Sequence, residues 1–173
     1  MNRSTRILGI DPGSRITGFG IIDSDGRSTT HVASGCIRTE GEDLSARLRE
    51  IHDAVVALVA DHEPAELAIE RVFMHRNADS ALKLGQARAA AICGTFAGGL
   101  IVHEYATRAV KQAIVGQGSA EKGQVQHMVR AILGLTASPA ADEADALAVA
   151  ICHAHTRALG ARLGVARLRV VRR

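Results

Sequence analysis

Four carboxylates stand where their apolar neighbours make a charge expensive. Asp11 closes the run Ile7-Leu8-Gly9-Ile10, Glu70 closes Leu67-Ala68-Ile69, and Asp142 and Asp145 belong to the apolar segment from Ala141 to Cys152. Spaced by three, the last two share one side of a helix. If these elements converge, like charges about 4 Å apart repel by roughly 4 kcal/mol per pair at an effective dielectric near 20. A divalent cation is the usual remedy. All-oxygen ligation favours a hard ion, and Mg²⁺ takes only a few protein carboxylates, leaving water and phosphate oxygens to complete its octahedron. Four acids suit two ions, a pair that stabilises both the attacking and the leaving oxygen of an in-line phosphoryl displacement and lowers the pKa of the attacking water. That is nuclease chemistry. Taken singly, each acid passes for a helix cap, a strand end or a surface group. It is the set, in this order of elements, that points to a metal site. Glu143 is expected to face solvent, outside the site.

The elements that must position these acids follow from periodicity. Arg6 to Asp11 reads as a strand, Pro12-Gly13-Ser14 as a turn, Ile16 to Ile22 as a second strand, Asp25-Gly26 as a turn and His31 to Arg38 as a third, an antiparallel meander. From Asp43, apolar residues recur at helical spacing through Leu44, Leu48, Ile51, Val55 and Leu58 until Pro64. A buried strand Leu67 to Glu70 follows, then a helix from the cap Asn77 to about Ala97, a strand Leu100 to Val102, and helices over Thr107 to Val115, Ser119 to Leu133 and Ser138 to about Leu159. The last helix is expected to take Ser138 as its cap and Pro139 in its first turn. Parallel neighbours ending at Asp11 and Glu70 would present both carboxylates at one sheet edge, where open α/β sheets bind ligands. The reading is an α/β fold: a mixed five-stranded sheet, three strands as a meander and the others parallel, with helices on its faces.

A length of 173 residues suits one domain, and 47% hydrophobic residues can fill its core. Residues 1–158 are expected to form that domain and 159–173 an Arg-rich tail, carrying Arg162, Arg167, Arg169, Arg172 and Arg173 without an acid; a solvated or disordered tail is the favoured reading. The net charge of +3 fits an anionic partner without identifying one. Three cysteines without a Cys-x-x-Cys pair argue against a disulfide framework or structural zinc and suit a reducing, cytoplasmic setting. No signal peptide or membrane span is legible. Three Phe, one Tyr and no Trp leave no row of stacking platforms for single-stranded bases, so duplex backbone is the favoured nucleic-acid target. His153 and His155 cannot readily clasp one metal, because alternate helical residues point about 200° apart.

Longer motifs carry a resemblance. Gly9-Ile-Asp-Pro-Gly13, Thr17-Gly-Phe-Gly20, Ile69-Glu-Arg-Val-Phe-Met74, Asn77 to Arg88, Val110-Lys-Gln112, Gly118-Ser-Ala-Glu-Lys122, Val125-Gln-His-Met-Val129 and Asp142-Glu-Ala-Asp-Ala-Leu147 resemble the RuvC family of Holliday junction resolvases. The likeness runs in order from Arg6 to about His155. It implies a ribonuclease H-like fold, a homodimer, paired Mg²⁺-dependent nicking of four-way DNA junctions in recombinational repair, and Asp11, Glu70, Asp142 and Asp145 as catalytic metal-binding acids. Some relatives have histidine at the last position, so an all-carboxylate set is expected here. Mg²⁺ is implied as the metal, two ions per site on the count of four acids, with Mn²⁺ a candidate substitute, and RuvA and RuvB are implied as branch-migration partners.

The resemblance also implies that Phe73 presses on junction bases and that Lys111 and Lys122 lie near the scissile backbone. By its residues alone Phe73 reads as a core aromatic, although an apolar ring at a site mouth can also wedge open a base step; the lysines read as solvated, although an ammonium there would stabilise phosphorane charge. Arg76, Lys83 and Arg88 are candidates for the DNA face, with solvated charge an equal alternative. Small residues at Ala78, Ala81, Gly85 and Ala89 admit close approach of another helix, either within the monomer or across a two-fold dimer. Two competing readings remain: a nucleotide phosphotransferase of the actin and sugar-kinase type, for which the chain lacks a second domain and phosphate loop, and a catalytically silent DNA-binding module, against which the intact acidic set weighs.

Overall fold

A computed structural model describes residues 4–71 and 77–163; Phe73, Arg76 and the arginines beyond Arg162 lie outside the described residues. Strands β1 (Thr5–Asp11), β2 (Ile16–Ser24) and β3 (Thr29–Arg38) form the expected meander, while β4 (Glu66–Glu70) pairs parallel with β1 and β5 (Ile101–Tyr105) parallel with β4. The order β3-β2-β1-β4-β5 makes the mixed five-stranded sheet anticipated from the sequence. Strand side chains alternate between faces. Leu8, Ile10, Ile21, Leu67 and Ile69 meet α1 (Leu44–His62) and α2 (Ala78–Gly94), whereas Ile7, Ile22 and Ala68 meet α5 (Ala141–Arg162), with α3 (Thr107–Val115) and α4 (Lys122–Leu133) packed alongside.

Helix α1 starts where expected, the Asp43 carboxylate accepting from the Ala46 N–H at 2.8 Å, and ends with Glu63 in the left-handed region ahead of Pro64. Asn77 caps α2 through the N–H groups of Asp79 and Ser80. That helix stops at Gly94, short of Ala97, because a 3₁₀ turn Phe96–Gly98 and left-handed Gly99 redirect the chain into β5. Strand β5 runs on to Tyr105, since Glu66 to Glu70 supply a pairing partner for each of its residues; polar His103 and Glu104 had hidden it from an apolar pattern. Helix α4 begins at Lys122 rather than Ser119, the Gln124 side chain accepting from the Glu121 N–H at 2.9 Å.

Two expectations about α5 are corrected. It starts at Ala141 rather than using Ser138 as a cap, because Glu143 reaches back to accept from the Ala140 N–H at 2.9 Å. For the same reason Glu143 does not face solvent: its other oxygen accepts from the Ser34 hydroxyl of β3 at 2.6 Å. The helix then continues through Arg162, past the boundary drawn at residue 158. Residues Ala146 to Ala154 are buried all round, so α5 is the central helix. Burial of Leu147 and Ile151 contributes about 1.5–3 kcal/mol each.

What sets the height of α5 above the sheet is glycine. A Cβ on Gly18 would lie 1.9 Å from the Asp142 carbonyl oxygen, and one on Gly9 would lie 2.2 Å from that of Ala146. No side chain fits between, so the helix backbone lies directly on β1 and β2. Gly18 pairs with Asp11 across these strands, which brings the first turn of α5 over the end of β1.

Candidate active site

Parallel register places Ile10 beside Ile69, so Asp11 and Glu70 emerge next to one another at the carboxyl edge of the sheet. Helix α5 brings Asp145 to the same cleft, a space of about 230 Å³ whose lining also includes Thr107, Lys111 and Lys122. Asp142 stands one turn earlier, and its charge acts on both Asp11 and Asp145. The four acids expected to gather are therefore one electrostatic unit, drawn from three elements.

The cost of that gathering is written in their protonation. Burial, then the charges of Asp145, Glu70 and Asp142, push Asp11 up to about 7, against only the opposing pull of Lys122. Burial also raises Glu70, partly offset by a hydrogen bond from Thr107 and by Lys111 and Lys122. Burial raises Asp145, whose Oδ2 lies 3.7 Å from the Lys122 ammonium. Nearby lysines do not cancel the mutual repulsion. An all-oxygen donor set that resists losing its protons fits a hard divalent cation, whose charge would reverse that preference.

The remaining basic candidates divide. Lys111 and Lys122 face the cleft, and the Lys122 side chain, 3.7 Å from Asp145, is 79% exposed. Lys83 lies on the exposed side of α2, paired with Asp79 at 2.6 Å one turn away. Arg88, a candidate for the DNA face, is turned inward instead: its Nε donates to the Glu70 carbonyl at 3.1 Å and its Nη2 pairs with the Glu104 carboxylate. A guanidinium with these partners ties α2 to the ends of β4 and β5, so Arg88 holds the site's frame.

Sequence reasoning missed two features. Thr107, the first residue of α3, donates its hydroxyl to Glu70 Oε1; its position just beyond a parallel strand was the available signal. At the opposite end of β4, roughly 13 Å away along the strand, Glu66 accepts from His153 Nε2 at 2.6 Å and Arg157 Nε at 3.0 Å, and His153 Nδ1 meets the Tyr105 hydroxyl at 2.6 Å. Burial raises the Glu66 pKa, but His153, Arg157 and His103 outweigh it and hold the carboxyl below its usual range. Glu66, His103 and His153 have ligand atoms within 4.8 Å of one another, a spacing that admits a metal ion. Arg157 also lies 3.0 Å from the Glu66 carboxylate oxygen that His153 approaches, and the imidazoles of His103 and His153 stack 27° from parallel. His153, His103 and Arg157 thus surround the buried Glu66 carboxylate. His155 is exposed on the other side of α5, as expected.

Comparison with known proteins shows the family. The family model described as crossover junction endodeoxyribonuclease RuvC matches residues 7–153. The chain is 57% identical over 169 residues to the crossover junction endodeoxyribonuclease RuvC of Methylococcus capsulatus, covering 98% of this chain and 99% of that protein. It is 58% identical over 149 residues to that of Marinobacter nauticus, covering 86% and 85%. Among solved structures, T. thermophilus RuvC in complex with Holliday junction substrate superposes with a TM-score of 0.84 at 34% identity, over 90% of this chain and 96% of that one. The yeast mitochondrial Holliday junction resolvase Ydc2, at a TM-score of 0.56 and 14% identity over 92% and 84%, shares the fold.

Proposed function

This chain belongs to the RuvC family of crossover junction endodeoxyribonucleases, and on that premise we propose that it is a structure-selective DNA endonuclease resolving Holliday junctions by paired symmetric nicks, with Asp11, Glu70, Asp142 and Asp145 as its catalytic acids. The observation that supports the reading is that Asp11, Glu70 and Asp145 line one cleft, with the charge of Asp142 acting on Asp11 and Asp145 and Asp11 pushed up to about 7. Membership of a nuclease family supports use of a divalent metal; the finer assignment is two Mg²⁺ ions held by the four acids, with Mn²⁺ as a substitute. When bound, such ions activate the attacking water and offset charge on the phosphodiester. The protein's own part is to hold the acids rigidly on two strand ends and a helix seated against glycine. Lys111 and Lys122 oppose the negative charge that builds on the phosphoryl group. Phe73 is proposed to press on junction bases, and Arg76 and Lys83 to touch DNA backbone.

Two-fold pairing supplies two sites for two cuts. The small-residue row of α2 supports a homodimer: Ala78 and Ala89 are exposed, a Cβ on Gly85 would meet nothing within 4 Å, and Leu82 is 67% exposed. The buried face of α2 is a different one, formed by Ala87, Ala91 and Gly94. RuvA and RuvB enter as partners on family grounds alone. No helix among the described residues is long and apolar enough to cross a membrane, and a cytoplasmic site of action fits a DNA substrate. The Arg-rich stretch 159–173, whose first residues continue α5 to Arg162, is proposed to contribute basic charge beyond the domain.

The test is direct. With Mg²⁺, the purified protein should place symmetric nicks in a synthetic four-way junction and leave a matched linear duplex intact; without Mg²⁺ it should bind the junction and cut neither. Asp11→Asn and Glu70→Gln should abolish nicking while preserving junction binding. Cleavage retained in both variants contradicts the assignment.

A further inference from the structure

Glu70 differs from the other cleft acids in how it is held. Its main-chain carbonyl accepts from Arg88 Nε at 3.1 Å, and the next residue is tied to β5 through the Arg71 N–H and the Tyr105 carbonyl at 2.8 Å. The backbone of this strand end is therefore fixed from two sides. A glutamate adds one more side-chain torsion than an aspartate, and that freedom must be removed before its carboxylate can serve in a set geometry. Thr107 removes it. The residue sits two positions beyond Tyr105, the strand partner of Glu70, and lines the same cleft. Its hydroxyl donates to Glu70 Oε1 from the first residue of α3. Among the described residues, Oε2 accepts no hydrogen bond, so one oxygen is anchored and the other is left to the cleft.

We propose that Thr107 is a positioning residue: its hydroxyl fixes the rotamer of Glu70 and thereby sets the affinity of the acidic cleft for divalent cations. Partners of this kind orient a ligating carboxylate and withdraw some of its rotational entropy before the ion arrives. The inference rests on the reading of Glu70 as a metal-binding acid, and its test separates the two.

The experiment titrates Mg²⁺ and Mn²⁺ into full-length protein without DNA by calorimetry and by thermal upshift, and in parallel measures single-turnover junction nicking as a function of Mg²⁺. Thr107→Val, which keeps the shape and loses the hydroxyl, should weaken cation binding by about 10-fold or more and raise the half-saturating Mg²⁺ for nicking in step. Nicking at saturating Mg²⁺ should change less, and metal-free junction affinity should not follow. Thr107→Ser, which keeps the hydroxyl and loses the methyl, should restore most of the cation affinity. Cation affinity unchanged in Thr107→Val overturns the inference, as does a serine variant as impaired as the valine one, because that pattern means the methyl group packs and the hydroxyl does nothing. If the valine variant does not fold, Thr107→Ala is judged by the same criteria. Glu70→Gln is the control: if it too keeps full cation affinity, the reading of Glu70 has failed, whereas loss in Glu70→Gln with retention in Thr107→Val removes only the role of Thr107.

Discussion

Asp11 concentrates the residue-scale physics of this protein. Its carboxylate is buried, faces three other acids and is raised from 3.8 to about 7, so the folded protein holds the proton far more tightly than the unfolded chain does. The stability this contributes is full below the unfolded value near 3.8 and is lost as the pH rises through about 7. In the metal-free protein, folding stability is therefore expected to fall on going from pH 5.5 to pH 8, by on the order of 1–3 kcal/mol. Denaturant melts at both pH values check this. Asp11→Asn should flatten the slope, and Mg²⁺ at pH 8 should recover the lost stability in the parent alone. Glu66 has the opposite sign: a carboxyl held below its usual range stabilises above that range and loses its contribution as the pH falls. The same residue type thus works in two ways, set by whether acids or His153 and Arg157 surround it.

At the scale of elements, the contact that decides the site is helix α5 lying on glycine. Gly18 and Gly9 leave the backbone carbonyls of Asp142 and Ala146 where any β-carbon would collide. Gly18→Ala is expected to lift the first turn of α5 and to lower stability by about 1–3 kcal/mol through overpacking. A shift near 1 Å in Asp142 and Asp145 should reduce nicking by roughly 100-fold. Melting temperature and single-turnover nicking, measured on the same preparation, separate the two effects. A stability loss with nicking intact would mean that the helix is positioned by its apolar face instead. At the other end of α5, Arg157 and His153 clamp the buried Glu66 of β4, so the helix is fixed at both ends of the sheet.

At the scale of the whole molecule, one copy carries one acidic cleft and an α2 face that its own core does not use. Two copies joined through Leu82, Gly85 and Ala89 would set two clefts under a single two-fold axis, the symmetry of a four-armed junction. Leu82→Glu places a charge at that contact, and on the proposed dimer it is expected to move sedimentation from two copies to one, the parent protein sedimenting as two. Its cation binding should persist, while coordinated paired nicking is lost. A variant that stays dimeric would move the interface elsewhere.

Much of this architecture was legible in the order of residues, because strand and helix periods are local. The meander, the span of α1 and the bounds of α3 all follow from patterns within a few residues of one another. The reading faltered where a partner distant in sequence intervened. Polar His103 and Glu104 belong to a strand because β4 supplies its hydrogen bonds. Ser138 yields the start of α5 to Glu143, and Arg88 turns inward toward a carbonyl 18 residues away. Thr107 was passed over because its one signal, a place just beyond a strand, does not say that it donates to a glutamate 37 residues earlier. Sequence alone determined which groups were available and which elements would carry them, since propensity and apolar period act over one or two turns. Only the tertiary structure decided which charges share a cleft and which are neutralised, because desolvation and Coulomb energy depend on distances that the folded chain sets.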